Sequence, residues 1–298
     1  MMNRLLLSVF TLLLIINISS CRKAPEPPSP DDTSLFAACV IPGTPQSLDI
    51  ITFNVEGFPK DGYNSIAAVA ALIKTIDPDI VALQEVTSKG DFERFVKLMP
   101  GWSGAFYPIN NDLWNLAYIF KNDEIEVYTQ STRLLFDDDS YAFPRPPFEV
   151  KVKHKPSSAD LFLINLHLKC CGGSDNEHRR LSASVKLKEY LDVSRSGDAV
   201  VILGDFNDEI GSLSVSENPF LNFINDPSDY SFADMAIAKG SALWWSYPSY
   251  PSHIDHILVT NELSGSIDTT VVIKASPCYP QYNAVISDHR PVGIKITP

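Results

Sequence analysis

Short apolar runs of strand length, nearly all with a carboxylate, amide or imidazole at or near an end, constrain this chain more than any other feature. They fall at 48–55, 80–84, 116–120, 161–166, 200–203, 257–259 and 292–296. Between the first two, Ile66, Val69, Ala70 and Ile73 recur at helical spacing, and Pro78 closes that helix. Ahead of the run at 200–203, Ala183, Leu187, Tyr190 and Leu191 make one face of a helix within 177–194. Strand-length and helical periods alternating in this way predict a mixed α/β domain, rich in sheet and covered by helices. No internal repeat is visible. The 298 residues suffice for one large domain or two small ones.

The polar residues fall where loops on a rigid scaffold build sites. Asn54 and Glu56 stand in ITFNVEGFP, Gln84 and Glu85 in DIVALQEV, and His167 in INLHLK. Asp205 and Asn207 follow in VILGDFND, Asp255 in HIDHILVT, and Asp288 and His289 in SDHRPV. A single carboxylate after a strand is ordinarily a turn former or a helix cap. Six such segments in one chain ask for a chemical reason. Hydrolysis of a phosphoester needs an oxygen nucleophile in line and neutralisation of the charge growing on the phosphoryl oxygens. Hard cations such as Mg2+ or Mn2+ do the second job with oxygen ligands, and one or two carboxylates with an amide suffice. Glu85, Asn54, Asp205, Asn207 and Asp288 supply such oxygens, and His167 and His289 supply imidazoles for proton transfer or charge stabilisation. Enough acidic groups are present for a second ion. Zinc is the competing metal, but no Cys-x-x-Cys spacing supports it.

In this order the six segments resemble the motifs of the deoxyribonuclease-I-like endonuclease/exonuclease/phosphatase superfamily, over roughly residues 48–298. The resemblance implies two packed, mostly antiparallel β-sheets flanked by helices, a four-layer α/β sandwich. It also implies roles. Asn54 and Glu85 bind the metal, supported by Glu56, with Asp288 beside it. Asp205 and Asn207 orient the attacking water and the phosphate. His289 is base or charge stabiliser, Asp255 holds its imidazole, and His167 donates to a phosphoryl oxygen. Arg145, in FPRPP, resembles an arginine that nuclease members set against a substrate phosphate; a solvated loop arginine is the alternative. Where such members carry a glutamate to orient the first histidine, this chain has Asn115, which would leave His167 less basic. The histidine at 167 sets the chain apart from abasic-site repair members, which use tyrosine there. Residues 244–256, WWSYPSYPSHIDH, offer aromatics either for the pocket wall or for packing a loop on the sheet.

The amino terminus adds an address. Arg4 precedes an apolar run from Leu5 to Ile16, too short to span a bilayer, and Ile18-Ser19-Ser20-Cys21 then resembles a bacterial lipobox. The expectation is a signal peptide over 1–20 and lipidation of Cys21, making an exported, membrane-anchored lipoprotein of periplasm or cell surface. Residues 21–47, with four prolines between 25 and 30, read as an extended tether, and 48–298 as the domain. Export makes disulfides expected among Cys39, Cys170, Cys171 and Cys278, and the preferred pairing is Cys39 with Cys278 and a vicinal Cys170–Cys171 link. The formal net charge of −12 argues against tight non-specific binding to polyanions, although a bound cation offsets it locally. The function expected is a secreted metal-dependent phosphodiesterase or nuclease, monomeric, acting on nucleic acid, nucleotide or a phospholipid head group. A phosphomonoesterase for a sugar, inositol or lipid phosphate is the alternative within enzymes. From another class comes a silent phospholigand-binding lipoprotein, against which the complete motif set speaks.

Overall fold

The computed structural model describes residues 28–44, 47–108, 113–212 and 218–297; the expected signal peptide and Cys21 lie outside them. Among the described residues twelve strands form two six-stranded sheets. The first contains β1 (Leu48–Phe58), β2 (Ile80–Val86), β3 (Trp102–Tyr107) and β4 (Asn115–Lys121), with β11 (Ile267–Val272) and β12 (Val292–Ile296) from the end of the chain. Its order is β11-β12-β1-β2-β4-β3. The second contains β5 (Ile125–Leu134), β6 (Phe148–His154), β7 (Ala159–His167), β8 (Val200–Asp205), β9 (Tyr230–Phe232) and β10 (Asp255–Thr260), in the order β5-β6-β7-β8-β10-β9.

Each sheet has one parallel pair at its centre, β1 with β2 and β7 with β8, and every other pairing is antiparallel. A parallel pair needs a crossover, and each crossover is a long helix. The first is α1 (Tyr63–Ile76), the second, after a shorter α2 (Lys89–Lys97) on the first sheet's side, is α3 (Ser174–Ser194). Helix α1 stops where Asp77 turns left-handed (φ 52°) ahead of Pro78, since the residue before proline is disfavoured in the helical region.

Side-chain alternation along the strands divides the core into three layers. Leu48, Ile50, Ile80, Ala82, Leu163, Val201, Leu203, Ile257 and Val259 fill the space between the sheets. Ile51, Phe53 and Val55 face the opposite way and pack with Ile66, Val69, Ala70 and Ile73 of α1. On the far side Ile164, Leu166 and Ile202 pack with Ala183, Leu187 and Leu191 of α3. The architecture is therefore helix, sheet, sheet, helix, the four-layer sandwich expected.

Two expectations are corrected. The described part of the tether does not stand off from the domain: Phe36 and Val40 are buried in the core that also holds α1, and Lys74 pairs with Asp31 at 2.5 Å. Burial of Leu35 and Phe36 outweighs the extended preference of the preceding prolines. Cys39 is bonded to Cys278 as expected, which staples this segment to the far end of the chain. Cys170 and Cys171, by contrast, are free thiols.

Parallel pairing also explains the glycine of the GDFND segment. Gly204 (φ 150°) lies opposite Leu166, and a Cβ there would stand 1.9 Å from the Leu166 carbonyl oxygen. Backbone cannot retreat as a flexible side chain does, so β7 and β8 would have to part at the ends that carry His167 and Asp205. Gly204→Ala is expected to cost about 3 kcal/mol, read as a lower urea midpoint; an unchanged midpoint would refute the tight packing of these two strands.

Candidate functional site

The topology gathers the polar strand ends at one edge. Parallel pairing sets Asn54 of β1 level with Gln84 of β2, and His167 of β7 level with Asp205 of β8. Antiparallel β10 begins with Asp255 directly opposite Asp205. Antiparallel β12 starts just after His289, so it too delivers its leading loop to the end of β1. Asn54, His167, Asp205 and Asp255 continue the alternation that points Ile50, Leu163, Leu203 and Ile257 between the sheets. The site is thus the place where the inter-sheet core turns polar.

A cleft of about 580 Å³ opens at this edge, and Glu56, Glu85, Arg145, His167, Asp205, Asn207, Asp288 and His289 all line it. Asn54 and Asp255 lie fully buried behind them. Every site residue named from the sequence is therefore in the cleft or directly behind it, apart from Cys21, which is outside the described residues. Within 244–256, Tyr247, Tyr250, Ser252 and Ile254 reach the wall. Trp244 instead lines a separate apolar groove with Ile41 and Val271.

Inside the cleft the groups form two clusters joined by His289. In the first, Asn54 Nδ2 donates to Glu85 Oε1 at 3.0 Å and, across the two sheets, to Asp205 Oδ2 at 2.9 Å. Glu85 Oε2 accepts from the Gly57 amide at 3.0 Å, and His167 Nε2 stands 3.5 Å from Asp205 Oδ2. In the second, Glu56 Oε2 accepts from the Asp288 amide at 2.8 Å and pairs with Lys60. His289 spans the gap. Its Nδ1 meets Asp255 Oδ2 at 2.8 Å, while Nε2 lies 4.0 Å from Asp205 Oδ2 and 3.8 Å from Asp288 Oδ1. Glu56 (φ 42°), Glu85 (φ 63°) and Asn207 (φ 54°) are held in the left-handed region, which side chains other than glycine occupy at a cost and which recurs at functional sites.

The electrostatics follow from burial and crowding. His167 is held well below the ordinary imidazole range, first by burial and then by Arg145 and His289, so it is neutral. Asn115 donates to the Val86 carbonyl at 2.8 Å and His167 Nδ1 has no hydrogen-bond partner among the described residues, in keeping with the weaker imidazole expected there. Burial pushes Asp205 up to about 7, and Asp255 adds to the rise against the opposing pull of His289. Burial likewise lifts Asp288 to about 6, with Glu56 adding to it. For His289 burial opposes protonation, but Asp255, Asp205 and Asp288 outweigh it and raise the imidazole to about 10. Carboxyls raised this far by burial and by crowding with other acids suit a divalent cation, and Glu85 and Asp205 offer oxygens within 4.8 Å of each other and of His167. Asn54 departs from its expected part, because its amide nitrogen faces the two carboxylates and its Oδ1 accepts from the Glu56 amide at 2.9 Å.

The sequence profile of the Endonuclease/Exonuclease/phosphatase family matches residues 51–289. No curated protein sequence matches the chain. Among solved structures, D. rerio TDP2 complexed with single strand DNA product superposes with a TM-score of 0.65 at 14% identity, covering 84% of this chain and 98% of that one. An endonuclease/exonuclease/phosphatase from Bacteroides vulgatus gives 0.64 at 18% identity, covering 84% and 98%. The human Nocturnin catalytic domain with bound sulfate gives 0.61 at 15%, covering 84% and 94%. At these identities the likeness is one of fold.

Sequence reasoning missed a second layer beneath the cleft. His256 Nδ1 contacts Asp234 Oδ2 at 2.5 Å and its Nε2 contacts the Asp208 carbonyl at 2.9 Å. Both partners are acceptors, so both ring nitrogens carry hydrogen and His256 is an imidazolium. His253 accepts from the Ser246 amide and donates its other nitrogen to the same Asp234 oxygen at 3.0 Å. Asp234, His253 and His256 have the spacing of metal ligands, but every one of these atoms is already committed to a hydrogen bond. The side chain of Asp208 receives Arg180 Nε at 2.7 Å, and Arg180 Nη1 donates to the Lys169 and Cys171 carbonyls. The network ties the loop after β8 to the loop after β7. Its signal in the sequence was the pair of histidines in HIDH, which are indistinguishable there from core histidines.

Burial opposes charge on both partners, yet their mutual attraction holds the Asp234 carboxyl below its ordinary 3.8 and the His256 imidazole above its ordinary 6.5. The depressed carboxyl contributes stability that is lost as pH falls below its ordinary value. The raised imidazole contributes stability that is lost as pH rises above its own. Their joint contribution is therefore greatest between those two values. Asp234→Asn leaves a buried cation without its counter-charge and is expected to cost about 3–5 kcal/mol in urea unfolding at pH 5 to 6; a loss under about 1 kcal/mol would mean the pair is not buried as drawn.

Proposed function

Because the chain belongs to the endonuclease/exonuclease/phosphatase family, we propose that it is a divalent-metal-dependent phosphoester hydrolase, and specifically a phosphodiesterase or nuclease. The observation that carries the reading is His289, anchored by Asp255 on one side and aimed between Asp205 and Asp288 on the other, in the cleft that also holds Glu85, His167 and Arg145.

Glu85, with Asp288 and Glu56 across the cleft and Asn54 if its amide turns over, would hold Mg2+ or Mn2+, which when bound neutralises charge on the phosphoryl oxygens. The chain's own residues supply the rest. At neutral pH His289 is a cation held in orientation by Asp255, so it donates to a phosphoryl oxygen and stabilises the charge that develops there. Asp205, raised to about 7, is poised to take a proton from an attacking water, and Asn207 helps to orient the phosphate. His167, being neutral, donates a hydrogen bond without adding charge. Arg145 donates one guanidinium nitrogen to the Leu168 carbonyl at 3.1 Å, which positions it on the rim as a clamp for the second phosphate oxygen.

Preference for a diester rests on the wall of the cleft, where Trp114, Tyr247 and Tyr250 give aromatic faces to the group beyond phosphorus. The D. rerio TDP2 fold neighbour holds a single strand DNA product, which favours nucleic acid as the first substrate to try. A phosphomonoester of a sugar, inositol or lipid, and a phospholipid head group, are the other arms of that test. Export as a lipoprotein anchored through Cys21 is part of the same proposal. Among the described residues no helix is long and apolar enough to cross a membrane, so a lipid would supply the attachment.

Three outcomes are expected. Hydrolysis of DNA, RNA or a simple diester should require Mg2+ or Mn2+ and vanish with chelator; full turnover in chelator would remove the metal from the proposal. His289→Ala and Asp205→Ala should each lower turnover by about a hundredfold or more while the melting temperature stays near wild type, with a smaller loss for Asp255→Asn. Near-normal rates per folded His289→Ala molecule would end the catalytic assignment. Cys21→Ser should move the protein from the membrane to the soluble fraction and abolish acyl labelling, and membrane association that survives the substitution would overturn the anchor.

A further inference from the structure

Cys170 and Cys171 stand side by side on the lip of the cleft, where both line the same wall as Glu85, His167 and Asp205. Cys171 is exposed and Cys170 half-buried, and their sulfurs lie 2.8 Å apart, with the Cys171 thiol donating to Cys170. Lys169 Nζ approaches Cys170 Sγ at 3.7 Å. Cys171 has a φ of 77°, so the backbone already departs from ordinary geometry at the junction that brings the two sulfurs together. The other described cysteines, Cys39 and Cys278, are bonded to each other and do not compete.

We propose that Cys170 and Cys171 form a redox-active dithiol, a modification site that closes to a vicinal disulfide by exchange with a disulfide oxidant and reopens by exchange with a thiol. Closure shortens the sulfur–sulfur distance from 2.8 Å to about 2.0 Å, which is less than the play of two side chains. The exposed Cys171 reacts first: its proton goes to water, its sulfur bonds to one sulfur of the oxidant, and one thiol of the oxidant leaves. The Cys170 sulfur, its proton released likewise, then bonds to Cys171 Sγ and displaces the second thiol. Two cysteine thiols are oxidised and one oxidant disulfide is reduced. A bridge between adjacent residues distorts the peptide between them, and exposed, strained disulfides are the readily reducible ones, so the site cycles instead of acting as a permanent staple.

The state of the pair reaches the cleft through Arg180. This buried guanidinium holds the Lys169 and Cys171 carbonyls, one on each side of Cys170, and with Nε it holds Asp208, next to Asn207. Turning the peptide between the cysteines shifts what Arg180 holds, and with it the rim around Asp205 and Asn207. This coupling rests on the proposed hydrolase reading, whereas the thiol chemistry does not.

The test equilibrates the folded chain in reduced and in oxidised glutathione, quenches with acid, alkylates free thiols, and reads intact mass and peptide map. Expected on the peptide that carries Cys170 and Cys171, whatever the state of Cys21, are two alkylated thiols in the reduced buffer and none in the oxidised one, where that peptide falls by two hydrogens, retains no glutathione and holds the bridge Cys170–Cys171. Cys170→Ser should trap one glutathione on Cys171. Alkylation of Cys170 or Cys171 in the oxidised buffer, or glutathione retained on either in the wild type, would overturn the site. In parallel, kcat/KM on bis(4-nitrophenyl) phosphate should differ about fivefold or more between the two forms, and the Cys170→Ser/Cys171→Ser variant should not respond to the oxidant. Equal rates in both forms would overturn the coupling. No hydrolysis in either form would strike the hydrolase reading and leave the dithiol to be judged by mass alone.

Discussion

Asn54 makes the contact on which the rest of the cleft depends. It is the last inward-facing residue on β1, and its amide nitrogen reaches Glu85 of the same sheet and Asp205 of the other. Without such a bridge two carboxylates at the mouth of a hydrophobic core would repel each other and water would enter between the sheets. Beneath it the same logic repeats: Gln84 Nε2 donates to Thr52 and to Asn165, and Asn165 Nδ2 donates to the carbonyls of Leu83 and Ala117. Buried amides of this kind are worth keeping only when their partners are in place, so they fix the sheets in one alignment.

The alignment in turn creates an imbalance of charge. Glu85, Asp205, Asp255, Asp288 and Glu56 crowd one edge, and the cations within reach are His289, Lys60 and Arg145. Burial lifts Asp205 and Asp288 toward neutrality, and the same carboxylates lift His289 in the opposite sense. Acids poised near neutral pH beside a firmly protonated imidazole are what the proposed reading uses to separate the proton acceptor from the charge stabiliser, a division that motif order had left open. Positive charge brought by a cation, or negative charge brought by a phosphate, would redistribute these protons, and the proposed function calls for both.

Support for that imbalance comes from outside the cleft. The imidazolium of His256 and the guanidinium of Arg180 are buried cations that hold carbonyls and carboxylates around the edge of the cleft. Removing water from such groups is costly, and each is offset by a carboxylate and at least one backbone carbonyl. The loop after β8 and the exposed cysteines of the loop after β7 are thus joined through one arginine.

The sequence by itself determined the strand and helix periods, the helix ended by Pro78, and the polar residues at strand ends, because these depend on local spacing and backbone sterics. Nine of the ten strand-end candidates, all but Gln84, stand with Arg145 in the cleft or directly behind it, whereas Glu177, Arg180, Asp208 and Glu209, which also line it, carried no such signal. Edge strands β3, β5, β9 and β11 escaped, because an edge exposed on one side shows no sustained apolar run, and interior β6 escaped because Glu149, Lys151 and Lys153 interrupt its apolar residues; β3 has no fully buried residue at all. The docking of residues 28–44 onto α1 escaped for a related reason, in that a proline-rich composition signals extension but cannot announce a distant partner for Phe36. Only the tertiary structure decided that Asn54 turns its nitrogen to the carboxylates, that His256 is charged and His167 neutral, and that two adjacent thiols face the cleft. Each depends on which buried acceptor or charge lies within about 3–4 Å, and that neighbour comes from a strand or loop far away in the chain.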